Sequence, residues 1–234
     1  MDVDSQGVRV GHVIHGSPAD AAGMHEGDHL VRVAGTSIAK AADVVHAVAA
    51  LAVGDRVQIE FTRGRGTQTA QAVLAPFPSQ DEMVRMDLVG APAPVWKDTQ
   101  VVSGVFPASL AALRGHVVLL DFWATWCAPC RVSIPKLEAL QSRYGAQGLS
   151  VVGISTEDPA DVALFAQRMS MHYGVGADPH GATTRAYGVF SLPTLVVIDK
   201  AGKVRDVSVG YDPSGSASLD ATVKALLAEP APGP

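Results

Sequence analysis

The sequence predicts two domains of different class. The first, over residues 1–78, is a small α+β domain, a β-barrel or sandwich with one main helix. The second, over residues 87–228, is an α/β domain with helices flanking a mixed sheet. Three observations carry this. Residues 7–75 break into short alternating runs separated by Gly- and Asp-containing turns. Beyond residue 87, strand-like and helix-like segments alternate. Between them, Pro76-Phe77-Pro78-Ser79-Gln80-Asp81-Glu82 is proline-rich and polar, which reads as a linker over 79–86. A chain of 234 residues accommodates two ordinary domains.

In the first half, residues 7–14 alternate as a strand. Gly16-Ser17-Pro18-Ala19 is turn chemistry, and residues 19–24 make a single helical turn ended at Gly23. Gly27-Asp28 turns the chain into a strand at 29–33, and Ala34-Gly35-Thr36 turns it again. Residues 41–51 carry apolar side chains at helical spacing (Val44, Val45, Val48, Leu51). An alternating strand follows at 57–61, and Arg63-Gly64-Arg65-Gly66 is a hairpin turn into residues 69–74.

In the second half, residues 117–122 form an apolar run of buried-strand length, whose continuity suggests a central strand covered on both faces. Residues 128–144 fit a helix with Ile134, Leu137 and Leu140 inward and Pro135 as a kink. A strand at 149–155, a helix at 159–171, a hairpin of 195–198 with 204–209 and a helix at 217–228 complete the layout. Residues 229–234 are expected to form a disordered proline-rich tail.

Apolar content of 47% is ordinary for a globular protein, and aromatic content is low at 6%. A formal charge of −5 leaves no electrostatic footprint for nucleic acid. No apolar run is long enough to span a bilayer, and Met1-Asp2-Val3-Asp4 shows no export signal. His25-Glu26-Gly27-Asp28-His29 matches the zinc-protease pattern H-E-x-x-H. That chemistry needs both histidines one turn apart on a helix, and Gly27-Asp28 favours a turn instead, so no metal site is expected. His12 and His15 are read as surface histidines on opposite faces of a strand.

The only two cysteines are in Cys127-Ala128-Pro129-Cys130. They are too few for a disulfide framework or a closed zinc site. A lone C-x-x-C between an apolar strand and a helix reads as a redox dithiol. A helix that begins at the dithiol places unpaired N–H groups and a positive dipole end at Cys127 and lowers its pKa. Cys127 is therefore the expected exposed nucleophile and Cys130 the resolving thiol. Asp121 ends the apolar strand, where a bare carboxylate is costly. The Cys127–Cys130 pair is itself the redox group, and no separate cofactor is expected.

Two resemblances extend this reading. Gly16-Ser17-Pro18-Ala19, Ala22-Gly23, Gly27-Asp28, Val33-Ala34-Gly35, Asp43, Gly54-Asp55 and Arg63-x-Gly resemble a bacterial PDZ domain of the HtrA type. This implies capture of extended peptide ends by strand addition. The segment that would supply the carboxylate loop is reduced to residues 1–7, and no binding residues are assigned there.

Residues 87–228 resemble the thioredoxin fold, and within it the TlpA/ResA-type thiol–disulfide oxidoreductases. The match rests on Gly90-x-Pro92-Ala93-Pro94, Leu113-Arg114-Gly115, the run from Asp121 to Cys130, Pro135, Leu192-Pro193-Thr194 and Gly202-Lys203. It implies a cis bond before Pro193, a buried Asp121 that takes the proton of Cys130, and a docking surface at Trp126, Pro129, Leu192, Pro193 and Gly210. It also implies protein disulfide or dithiol substrates, an upstream electron donor and an extracytoplasmic location. Ser133 stands where many ResA-like chains have glutamate, and Gly153 where thioredoxins have lysine. A PDZ-centred peptide-binding module and a thiol peroxidase are the alternatives. For the latter, peroxiredoxins carry threonine where this chain has Ala124.

Overall fold

The computed structural model describes residues 2–4, 7–107, 109–212 and 215–231. It divides into two compact units, Met1–Asp87 and Leu88–Pro234.

The first unit contains β1 (Asp2–Asp4), β2 (Gly7–Arg9), α1 (Pro18–Ala21), β3 (His29–Val33), β4 (Thr36–Ser37), α2 (Ala41–Val48), β5 (Arg56–Arg63) and β6 (Gly66–Val73). They form an antiparallel sheet in the order β1-β2-β3-β5-β6, with β4 paired to β3. Its core holds Val8, Met24, Leu30, Val33, Val57 and Phe61. The strand expected over 7–14 ends at Arg9, because only Val8 and Arg9 find register partners in β3. Beyond it the chain makes loop bonds, such as Val10 N–H to the Asp28 carbonyl at 2.8 Å. His12 and His15 therefore do not sit on a strand; they pair with Asp87 and Asp20.

The H-E-x-x-H segment is a turn before β3. Its Asp28 is buried, accepts the His25 N–H at 2.8 Å, and is gripped by the Arg63 guanidinium at 2.7 and 2.8 Å. Arg63 holds that carboxyl below the usual aspartate range. The pair ties the turn to the end of β5.

The expected linker at 79–86 is a helix, α3 (Gln80–Leu88). Ser79 and Glu82 form its capping box. The Glu82 carboxylate accepts the Ser79 N–H at 2.8 Å, and the Ser79 hydroxyl accepts the Glu82 N–H at 3.2 Å. Val84 and Leu88 are buried.

The second unit contains β7 (Gln100–Ser103), a 3-10 turn at Leu110–Leu113, β8 (Val117–Phe122), α4 (Ala128–Tyr144), a 3-10 turn at Gly145–Gln147, β9 (Leu149–Ser155), α5 (Pro159–Arg168), β10 (Gly174–Ala177), α6 (Ala182–Ala186), β11 (Thr194–Ile198), β12 (Val204–Val209) and α7 (Gly215–Ala228). The sheet order is β12-β11-β8-β9-β10-β7. Pairs β8–β9 and β9–β10 are parallel; β8–β11, β11–β12 and β10–β7 are antiparallel. Every residue of β8 is buried, as its unbroken apolar run requires.

Residues of α4, α5 and α7 pack into one core cluster with Val117, Leu119, Trp123 and both cysteines. The expected disordered tail is anchored at its start. The Glu229 carbonyl accepts a hydrogen bond from Lys200 Nζ at 2.7 Å, and its carboxylate accepts one from Arg205 at 2.9 Å. Residues 232–234 of that tail lie outside the described residues.

Candidate active site

The strand β8 and the first turn of α4 build the site. Cys127 and Cys130 form a disulfide with Cα atoms 5.3 Å apart. Cys127 is the N-cap of α4, and its Sγ accepts the Cys130 N–H at 3.2 Å. Donation from a helix N-terminus favours negative charge on that sulfur. The expectation of an exposed Cys127 is corrected: in the disulfide it is 3% exposed, packed in the cluster with Trp123, Ala124 and Ile134. Cys130 is fully buried, while Trp126 beside Cys127 is 71% exposed. Pro129, in the first turn of α4, is exposed as well.

The loop that presents Cys127 is clamped by residues the sequence reading missed. Glu157 accepts both the Thr125 N–H and the Thr125 hydroxyl at 2.6 Å. Arg131 donates to the Thr125 carbonyl at 2.8 Å, and its guanidinium lies 5.5 Å from the centre of the Phe165 ring. Trp123 stacks against Phe165 at 5.2 Å. A Thr-Glu pairing across 32 residues leaves no local pattern to read.

Asp121 is 1% exposed, and its Oδ2 has no hydrogen-bond partner. Burial pushes its pKa up to about 7. That places the carboxyl near neutrality, the range in which a general base or acid works. Asp121 pairs in register with Leu195 of β11 and Gly153 of β9. A Cβ at Gly153 would lie 2.8 Å from Trp123 Nε1 and 3.2 Å from Tyr173 Cε2. The position where a lysine was missed is thus filled from the side. Gly153→Ala is expected to cost about 1–3 kcal/mol by overpacking, measurable by denaturant unfolding.

The Leu192–Pro193 peptide bond is cis, and the Pro193 carbonyl accepts the Gly210 N–H at 2.8 Å. Four of the five docking residues expected from the sequence divide between two cavities, and Pro129 lines neither. Pro193 and Gly210 line one of about 660 Å³ together with Asp121, Ser133, Lys136 and Tyr211. Trp126 and Leu192 line another of about 430 Å³ with Phe190 and Thr184. The Ser133 hydroxyl donates to the Cys130 carbonyl at 2.9 Å, a bond within α4. Lys136 Nζ donates to the Tyr211 hydroxyl at 2.7 Å.

Residues 89–207 match the AhpC/TSA family, and residues 1–74 match the PDZ domain. Over 102 residues the chain is 36% identical to thiol-disulfide oxidoreductase ResA of Geobacillus thermodenitrificans, covering 43% of this chain and 59% of that protein. It is 36% identical over 107 residues to thioredoxin-like protein YneN of Bacillus subtilis, covering 44% of this chain and 62% of that one. The chain therefore spans about three fifths of the length of these curated relatives. A Chlorobium tepidum crystal structure assigned as thiol:disulfide interchange protein DsbE superposes with a TM-score of 0.54 at 35% identity, covering 59% of this chain and 97% of that one.

Proposed function

The chain belongs to the AhpC/TSA family, and from its likeness to thiol-disulfide oxidoreductase ResA and the DsbE structure we propose that it is a thiol–disulfide oxidoreductase acting on protein disulfides. The observation that carries the reading is Cys127 Sγ held at the N-terminus of α4 within hydrogen-bond reach of the Cys130 N–H. In the reduced chain, the Cys127 thiolate attacks one sulfur of a substrate disulfide. A mixed disulfide forms, and the other substrate sulfur leaves as a thiolate. Asp121 takes the Cys130 proton. The Cys130 thiolate then attacks Cys127 Sγ and releases the second substrate sulfur. Two electrons pass to the substrate, and the Cys127–Cys130 disulfide remains for an upstream dithiol donor to reduce. Ala124, three residues before Cys127, offers no hydroxyl, which speaks against a thiol peroxidase.

Reduction is the proposed direction, by resemblance to cytochrome c maturation reductases, and an extracytoplasmic location follows from the same resemblance. Among the described residues no helix is long and apolar enough to cross a membrane. Trp126, Pro129, Leu192, Pro193 and Gly210 are proposed to dock the substrate chain around Cys127. The match of residues 1–74 to the PDZ domain supports recruitment of a partner through its chain end. Binding of the full chain to carboxylate-ended peptides and not to their amidated forms tests that part.

Equilibration of the Cys127–Cys130 pair with glutathione tests the direction. A potential near about −270 mV supports a reductase, and one near about −120 mV an oxidase. Turnover of a protein disulfide in the presence of a dithiol tests the activity itself.

A further inference from the structure

Asp121 Oδ2, Tyr173 Oη and Trp123 Nε1 are buried without hydrogen-bond partners, and the side chains of Trp123 and Tyr173 pack against Gly153. Gly153 is the register partner of Asp121 in the adjoining parallel strand. The Tyr173 ring lies across it, with Cε2 3.2 Å from where a Cβ would be. Tyr173 is 3% exposed and shares the core cluster of Cys127 and Cys130. The absent side chain of Gly153 is what admits a phenol to the layer beside the buried carboxyl.

We propose that Tyr173 is a positioning residue for Asp121, donating its phenolic O–H to the Asp121 carboxylate and so favouring the ionised base that accepts the Cys130 proton. This rests on the oxidoreductase reading. A phenol can donate, and a carboxylate can only accept, so the two orphaned oxygens are complementary once Asp121 ionises. As a protonated acid, Asp121 has no such need for a donor. Burial, with the neighbouring Asp121 and Glu138 charges, raises the phenol's pKa well above its ordinary value, so Tyr173 stays a neutral donor.

The other ionisable groups around the Asp121 cavity are Lys136 and Arg143 of α4, Asp206 of β12, Tyr211 and Asp212 after it, and Asp220 of α7. Lys136 donates to Tyr211 at 2.7 Å and Arg143 to Asp220 at 3.0 Å. When reduced, Cys127 and Cys130 add two thiols to the same core cluster. Glu138 of α4 bears on the phenol rather than on Asp121.

The test is the pH dependence of mixed-disulfide breakdown in single turnover, in the full chain and in Tyr173→Phe, Asp121→Asn and the double variant. A hydrogen bond to the charged form lowers a carboxyl's pKa, so its loss raises it. Tyr173→Phe is expected to move the acid limb up by about one pH unit, with about tenfold slower breakdown on that limb. The plateau at high pH stays in place. At acid pH stability is unchanged or improved, because a buried hydroxyl without a partner is removed; at high pH it falls, because the ionised Asp121 loses its donor. Asp121→Asn removes the limb, and adding Tyr173→Phe to it has no further effect on the profile. A limb abolished by Asp121→Asn but unmoved by Tyr173→Phe overturns the proposal alone. A limb that survives Asp121→Asn overturns the role of Asp121 and the proposal with it. Absence of exchange in the wild-type chain overturns the oxidoreductase reading.

Discussion

Asp121→Asn is expected to change both stability and rate, with opposite pH signatures. The Asp121 pKa in the folded chain is about 7, against the ordinary 3.8. Below pH 3.8 both folded and unfolded chains hold the proton, and burial costs no ionisation energy. As pH rises, the unfolded chain releases the proton first, so the folded state binds more protons and loses stability until about pH 7. Three pH units correspond to about 4 kcal/mol. Asp121→Asn has no proton to lose. It is therefore expected to unfold like the wild type near pH 4 and to be more stable above pH 7 by up to about 4 kcal/mol. Denaturant unfolding at pH 4.5 and pH 8 measures the difference.

The same substitution removes the proposed base for Cys130, so resolution near pH 8 is expected to slow by about a hundredfold. A more stable but slower variant fits a functional buried carboxyl. A variant equally fast at every pH assigns Asp121 to structure alone.

Cys127→Ser is expected to lower turnover by at least about a thousandfold, because it removes the proposed attacking sulfur. A serine hydroxyl at the α4 N-cap still accepts the Cys130 N–H, so the helix keeps its cap and the loss is chemical. Cys130 cannot substitute for it: it is fully buried, and its own backbone N–H is the donor that favours charge at position 127. Unfolding of Cys127→Ser compared with the reduced wild type separates the loss of chemistry from the loss of the disulfide.

Much of the second unit was legible because its local signals agree. The run Val117–Phe122, the helix Ala128–Tyr144 and the strand Leu149–Ser155 were read to the residue. Their apolar periodicity and flanking glycines point to the same boundaries. By contrast, β10 was missed because Gly174-Val175-Gly176-Ala177 has little strand propensity. Its glycines answer to tertiary contact: a Cβ at Gly176 would lie 2.6 Å from Phe106 Cε2, and one at Gly174 2.5 Å from the Val105 carbonyl. The α3 helix was missed although Ser79-x-x-Glu82 is a capping box, because the adjacent prolines dominated the reading.

At the site, the dithiol was visible in its short motif, and the cis bond before Pro193 was implied by the family resemblance that Leu192-Pro193-Thr194 helps to carry. Glu157, Lys136, Tyr211 and Tyr173 were not visible. Glu157, Tyr211 and Tyr173 reach the site from other elements and Lys136 lies further along α4; a tyrosine beside a strand reads as core until its hydroxyl is found without a partner.

The most direct measurement is the intact mass of reduced Cys130→Ser after mixing with a disulfide-bonded protein. Cys127 then attacks, and no second thiol releases the product. A stable mixed disulfide is expected, with a mass equal to the sum of the two chains, formed through Cys127 and lost on adding a reductant. No adduct, or an adduct formed equally well by Cys127→Ser, would contradict it.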